Sequence, residues 1–347
     1  ACARGKPCYD SAYTTAPRGD AAFMASASNT AYRKGLSDFG NGCYGYFQPD
    51  GSWGWSNAGL IVDSGASLLV DTLFDLRLTR EMLAAMRAAE PAATAQIDEL
   101  VNTHSNGDHT FGNQLVGGAE IIASKACAEE MIHDGGAKRL ADMKRNVTSD
   151  SPAGRFLTEI FAPFDFEGID VTMPTLTFEG ELVRRVGNKT VRLIQVGPAH
   201  TRGDVLVYVP ADRVLFTGDM LFIEGHPVIW AGPVGNWIKA CQLMLDLEVE
   251  TIVPGHGPVT DKRGVAAVKG YFEYIEREAR RRFAAGMPYA EAARDIALTD
   301  YASWGDAERI VVNVFTLYRE FEGGEPVTDI RPDLFGLMAE LRNARRK

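Results

Sequence analysis

From about residue 53 onward, short β-branched runs separated by turn residues alternate with segments whose apolar residues recur at helical spacing. Residues 59–63 and 67–71 read as the strands of a hairpin turning at Ser64-Gly65, and 78–90 reads as a helix closed by Pro91. Residues 97–102 and 119–123 read as strands, and 125–165 as an irregular helical insertion. A second strand-rich half follows. Strands are predicted over 171–178, 182–186, 191–196, 205–209 and 214–217, a helix over 237–247, and a short buried strand over 251–253. From about 262 the pattern is helical, with 265–284 the longest segment. The first 50 residues, rich in Gly, Ala, Ser and Tyr, show no period and read as an irregular arm with one short helix near 25–36. Strands, then helix, then strand, twice over, predict two mixed β/α halves packed face to face, an α+β chain. The expected organisation is an N-terminal arm over 1–50, a core over 51–262 and a C-terminal helical extension over 263–347.

Composition narrows the function classes. With 46% apolar and 24% charged residues over 347 positions, the balance is that of a globular protein. Thirty-six basic against 46 acidic residues leave a net charge of −10, which argues against a nucleic-acid partner because phosphate binding needs clustered Lys and Arg. The most basic stretch, 277–282, is interrupted by Glu278 and reads as a solvated helix face. No apolar run reaches 18 residues, so no membrane span is expected. The five cysteines form no CxxC pair, which makes a reducing, cytoplasmic compartment the default. The start at Ala1, with Cys2 close behind, leaves open a processed or exported form, in which a Cys2–Cys8 bridge would fit.

The candidate chemistry sits at strand ends. Thr103-His104-Ser105-Asn106-Gly107-Asp108-His109 follows the predicted strand 97–102 and packs side chains able to hold a divalent ion into one loop, where Gly107 is expected to let the backbone turn. His200 lies in Gly197-Pro198-Ala199-His200, Asp219 in Thr217-Gly218-Asp219, and His256 in Pro254-Gly255-His256-Gly257, each just past a short apolar strand and near a glycine. A capping Asp108 and a core His104 would account for the first cluster alone. Four strand ends carrying His or Asp in glycine-containing loops make better sense as one site at one sheet edge. His133 and His226 lack this setting and suit surface or supporting roles.

The ordered series His104-x-Asn106-x-Asp108-His109, His200, Asp219, His256 resembles the five-motif pattern of the metallo-β-lactamase-like superfamily, over roughly residues 55–260, and Asp71 in Leu69-Val70-Asp71-Thr72 resembles its first motif. The resemblance implies a four-layer αββα sandwich with metal at one edge of the two sheets. It implies one metal site formed by His104, position 106 and His200, a second formed by Asp108, His109 and His256, and Asp219 bridging them. Position 106 departs from the pattern, carrying Asn where the family usually has His; an amide oxygen is a poor zinc ligand. Either both sites bind, the first more weakly, or a single zinc sits on Asp108, His109 and His256 with an open position for water; the second reading is preferred, and iron or manganese are lesser candidates.

The expected chemistry is hydrolysis: metal-bound water, its pKa lowered to about 7, attacks an electrophilic carbon as hydroxide. Asp108 or Asp219 would take the proton or align the nucleophile, and Asn106 would be idle, a ligand, or a donor to the substrate. The substrates implied are small molecules: esters, lactones, thioesters, lactams or activated aryl halides, together with sulfate and phosphate esters. The HxNxDH variant with a tryptophan after a Gly-Pro loop also loosely resembles the hydrolytic chlorothalonil dehalogenases of the same superfamily. Trp53, Trp55, Trp230 and Trp237 suggest an aromatic-lined pocket for an apolar substrate, or else core packing. The competing readings are a lyase, cyclase or iron-dependent oxygenase on the same scaffold, and a binding protein with a decayed, metal-poor site. The apolar segment 310–321 is expected to be buried against the core or a partner, and a homodimer is favoured. Gly40-x-Gly42-x-x-Gly45 fits a dinucleotide pattern by chance, without a strand run before it or a helix after it.

Overall fold

The computed structural model describes residues 32–133, 136–147, 150–324 and 332–345. Two sheets carry the fold. The first runs in order β1 (Gly35–Asp38), β2 (Cys43–Phe47), β3 (Ala58–Asp63), β4 (Ala66–Val70), β5 (Glu99–Val101), β6 (Glu120–Ser124) and β7 (Leu176–Phe178). It is antiparallel through β4 and parallel from there on. The second sheet holds β8 (Glu181–Val186), β9 (Lys189–Gln195), β10 (Val205–Val209), β11 (Val214–Phe216) and β12 (Thr251–Val253), with β12 parallel to β11 at its edge.

Alternation along the strands builds the layers. In β3, Ile61 faces the second sheet while Leu60 and Val62 face outward; in β10, Val205, Val207 and Val209 face the first sheet while Leu206 and Tyr208 face outward. Period-two alternation with both faces apolar is what a sheet buried on both sides requires. The inward sets meet in one core between the sheets. The outward face of the first sheet packs on α1 (Leu76–Ala89), whose Leu78, Met82 and Met86 recur at i, i+4 and i+8. The outward face of the second packs on α6 (Val234–Asp246), α7 (Lys262–Ala284) and α9 (Ile310–Phe321). The result is the four-layer αββα sandwich. The remaining helices are the four-residue α2 (Gly107–Thr110), then α3 (Lys125–His133), α4 (Gly136–Asn146), α5 (Pro152–Phe161), α8 (Tyr289–Asp295) and α10 (Pro332–Arg345).

Three expectations change. β1 and β2 lie where an irregular arm was expected: their ladder continues the first sheet, so residues from Gly35 on belong to the sandwich. Apolar Tyr44 and Tyr46 alternate with Cys43 and Phe47, a two-sided pattern that the surrounding glycines obscured. Gly35 and Leu36 of the expected helix 25–36 are strand, and residues 25–31 lie outside those described, as do Cys2 and Cys8. The glycine pattern 40–45 is the turn and second strand of this hairpin; a short strand does precede it, but a strand rather than a helix follows. The helices beyond 262 pack on the second sheet: Val265, Val268 and Phe272 of α7 share a core with Leu206, Leu215 and Ile252. The apolar segment 310–321 is buried within the chain itself, against α7, α8 and α10. Cys43, Cys127 and Cys241 are free and buried. No helix among the described residues is long and apolar enough to cross a membrane.

Candidate metal centre

The C-terminal ends of β4, β5, β11 and β12 and the loop after β9 open on the same edge of the sandwich, bringing Asp71, the 102–109 loop, Asp219, His256 and His200 together. The ligand atoms of His104, His200 and Asp219 lie within 4.8 Å of one another, and so do those of Asp108, His109 and His256. Asp219 stands between the groups: Oδ1 is 3.0 Å from His109 Nε2, and Oδ2 is 3.2 Å from His200 Nε2, 3.4 Å from His256 Nε2 and 3.7 Å from His104 Nε2. Asp108 Oδ2 is 3.3 Å from His256 Nε2.

Each histidine is anchored through Nδ1. His109 Nδ1 donates to Asp71 Oδ2 (2.9 Å), His200 Nδ1 to the Val228 carbonyl (2.8 Å) and His256 Nδ1 to the Gly51 carbonyl (3.0 Å). His104 Nδ1 lies 3.0 Å from Thr103 Oγ1, which itself donates to Asp71 Oδ2 and so accepts from the ring. These bonds orient the rings and turn the four Nε2 atoms inward toward Asp219, in two groups. His104 Nε2, His109 Nε2 and Asp219 Oδ1 are buried and make no hydrogen bond. Buried polar atoms are rarely left so, and a convergent set of lone pairs and carboxylates is the donor set a divalent ion takes. The residues present therefore fit a metal ion on this chain's own geometry.

The electrostatics agree. Burial alone would depress His109 and His256, yet the carboxylates around them prevail: Asp219, Asp71 and Asp108 raise His109 well above the usual imidazole range, and Asp219 and Asp108 bring His256 to about 9. Burial and the neighbouring His109 push His104 well down, and burial lowers His200. Burial opposes ionisation of Asp219, but His256, His109, His104 and His200 hold it well below the usual carboxylate range.

Asn106 lies beside the cluster at the N-cap position of α2, where its side chain makes no capping bond: its Oδ1 is 2.8 Å from His200 Nε2. Since the Val228 carbonyl takes the Nδ1 hydrogen and burial disfavours a second proton, Nε2 carries a lone pair, and the hydrogen-bond network favours exchanging the amide oxygen and nitrogen of Asn106 so that its NH2 donates to Nε2 in place of Oδ1. The two glycines act through close approach. A Cβ on Gly107 would lie 2.4 Å from the Phe111 ring, so this glycine admits a ring rather than the turn expected of it; a Cβ on Gly255 would lie 2.0 Å from Asp219 Oδ1.

A cavity of about 530 Å³ opens on the cluster, with Asn106, Asp108, His200, Asp219 and His256 at one end. Trp53 and Trp230 line it; Trp55 packs on Phe164 beside a neighbouring cleft, and the fully buried Trp237 backs His200. Sequence motifs did not point to α4 and α5 as cavity walls, nor to Arg309, which is 1% exposed and stacks on Trp53 and Phe222, the latter lying flat on His256. Their only signal was apolar spacing, which looks the same in any buried helix. His226 is buried among Tyr271 and Trp304, away from the cluster, and the side chain of His133 lies outside the described part.

A model of the metallo-beta-lactamase superfamily matches residues 51–256. The chain belongs to the metallo-beta-lactamase superfamily. Within it, the chain is 27% identical over 226 residues to a beta-lactamase-like protein 2 homolog of Caenorhabditis elegans, covering 65% of this chain and 62% of that protein. It is 26% identical over 211 residues to the acyl-coenzyme A thioesterase MBLAC2 of Bos taurus, covering 58% and 70%. The stereoselective inverting sec-alkylsulfatase Pisa1 from Pseudomonas sp. has the same fold over 84% of this chain and 50% of its own, with a TM-score of 0.61 at 16% identity. The chain thus spans about three-fifths of the first relative and half of the sulfatase. Hydrolase names occur among its relatives, as in the acyl-coenzyme A thioesterase.

Proposed function

We propose that the chain is a zinc-dependent hydrolase of a small-molecule ester or thioester, with one principal metal position on Asp108, His109 and His256. The observation that carries this is the convergence of anchored histidines and the carboxylates of Asp108 and Asp219, several of their buried atoms without a partner, at the foot of the cavity. A thioesterase among the relatives points to the same bond class. When bound, a divalent ion lowers the pKa of a coordinated water and polarises a carbonyl. The residues supply the rest. His109 and His256, whose hold on a proton the neighbouring carboxylates strengthen in the metal-free chain, give up any Nε2 proton on loading. Asp108 and Asp219 stay ionised and accept a hydrogen bond from the attacking water, fixing its approach.

Asn106 decides the metal count. A lone pair on His200 that accepts from the Asn106 amide is not available to a cation, so His104, His200 and Asp219 form the weaker position. Elemental analysis of protein purified without added metal tests this: about one zinc per chain for the parent and about two for Asn106→His, with His109→Ala and His256→Ala losing both metal and turnover. Two zincs in the parent, unchanged in Asn106→His, would overturn the single-position reading. A zinc-loaded parent that cleaves no ester or thioester would overturn the hydrolase.

A further inference from the structure

The cavity above the cluster is walled by helices that each carry two apolar stripes. In α5, Phe156 and Ile160 are buried in the main core, while Ala153, Leu157 and Phe161, spaced i, i+4 and i+8, are half-buried and line the cavity. In α4, Ala137 and Ala141 are buried against the first sheet, while Leu140 and Met143, with Val147 just beyond the helix, line the cavity and are likewise half-buried. An ordinary surface helix has one apolar stripe and a polar opposite face. Here Leu157, Phe161 and Leu140 of the second stripes touch the margins of the cores and also line the space leading to Asp108, Asp219 and His256, which Phe335 of α10 lines as well. Arg309 at its edge is already held by the His226 carbonyl and Asp306.

We propose that this cavity holds the hydrocarbon chain of an acyl group, so that the substrates are esters or thioesters of medium- to long-chain carboxylic acids. The proposal rests on the hydrolase reading above. Flexible Leu and Met side chains adapt to a chain that changes shape along its length, and about 530 Å³ sits within the range of pockets that enclose most of a small ligand. In the reaction, water adds to the acyl carbon, the C–O or C–S bond breaks, and the water's proton passes to the departing alkoxide or thiolate. The products are the carboxylic acid and an alcohol or thiol.

The test uses the zinc-loaded full chain and p-nitrophenyl esters from acetate to tetradecanoate. The expected result is a kcat/KM that rises roughly fourfold per methylene, then levels off when the cavity is full. Leu157→Trp and, as an independent variant, Met143→Trp narrow the cavity; each is expected to lower the long-to-short ratio of kcat/KM by about sixteenfold, the loss of two methylene contacts. Calorimetric binding of butanoate to dodecanoate, which needs no turnover, is expected to tighten with chain length. A flat ester series with no chain-dependent binding overturns the proposal, as does a phenyl ring preferred over an aliphatic chain of equal carbon count, or a ratio unmoved in both tryptophan variants. Chain-dependent binding without cleavage of any ester leaves the acyl chain in the cavity and overturns the hydrolase reading instead.

Discussion

Asp71 shows how much a single side chain carries. It touches neither the cavity nor the cluster's centre, yet it accepts Thr103 N–H at 2.7 Å, Thr103 Oγ1–H at 2.7 Å and His109 Nδ1–H at 2.9 Å. Through Thr103 it also fixes His104, so the two histidines, assigned to different metal positions, are oriented by one carboxylate. Its backbone is left-handed, φ 61°, a conformation aspartate adopts more readily than most non-glycine residues. Burial pushes its carboxyl up, and the facing His109 is the strongest influence holding it ionised. Asp71→Asn keeps the shape but places an NH2 against donors and removes a charge. Removing such an orienting partner typically costs 10- to 100-fold in metal affinity, so a drop of about that size is expected in competition with a chromophoric chelator. An affinity within twofold of the parent would mean that packing alone orients the rings.

Between elements, the loop after β11 and the C-terminal helices meet at His226. Its Nε2–H donates to the Tyr301 carbonyl (3.1 Å), its Nδ1 is buried without a partner, and its own carbonyl takes Arg309 Nη1–H (2.9 Å). Burial is the main cause, with Arg309 adding to it, that brings its pKa to about 3. The unfolded chain binds this proton near pH 6.5. Between pH 6.5 and 3, then, the unfolded state holds more protons than the folded one, and stability is lost as pH falls through that window. By pH 5 the loss is about 2 kcal/mol from this group. Urea midpoints between pH 7 and 5 should fall in the parent and flatten in His226→Gln; equal slopes would assign the acid sensitivity to other groups. This joint was invisible in the sequence, where His226 lacked a glycine-flanked strand end. The convergence of the His and Asp side chains was legible for the opposite reason: residues gathered at strand ends are written in the short segments right after apolar runs, as His104, Asp108, His109, His200, Asp219 and His256 are. The β1–β2 hairpin was not, because its aromatic and cysteine alternation is too short to rise above a glycine-rich background. Nor were the cavity walls, since lining a cavity and facing a core demand the same apolar side chains.

At the scale of the whole molecule, charge and cavity select together. The net charge is −10, and the cleft that shares Trp53, Phe222 and His256 with the cavity is lined by the carboxylates of Asp50, Glu159, Glu224 and Asp306 against the single Arg342. A field of that sign opposes a polyanionic leaving group and is indifferent to a neutral one. If acyl chains occupy the cavity, two substrates with the same chain should therefore differ through their heads. Raising salt from 10 to 150 mM shortens the Debye length from about 30 Å to about 8 Å. The kcat/KM of a polyanionic acyl thioester is then expected to rise severalfold, while that of a neutral thioester stays level. Stopped-flow release of the thiol at both salts measures it. A polyanionic substrate slowed by salt would show that Arg139 and Arg309 at the cavity, rather than the acidic surface around it, set the field the head group meets.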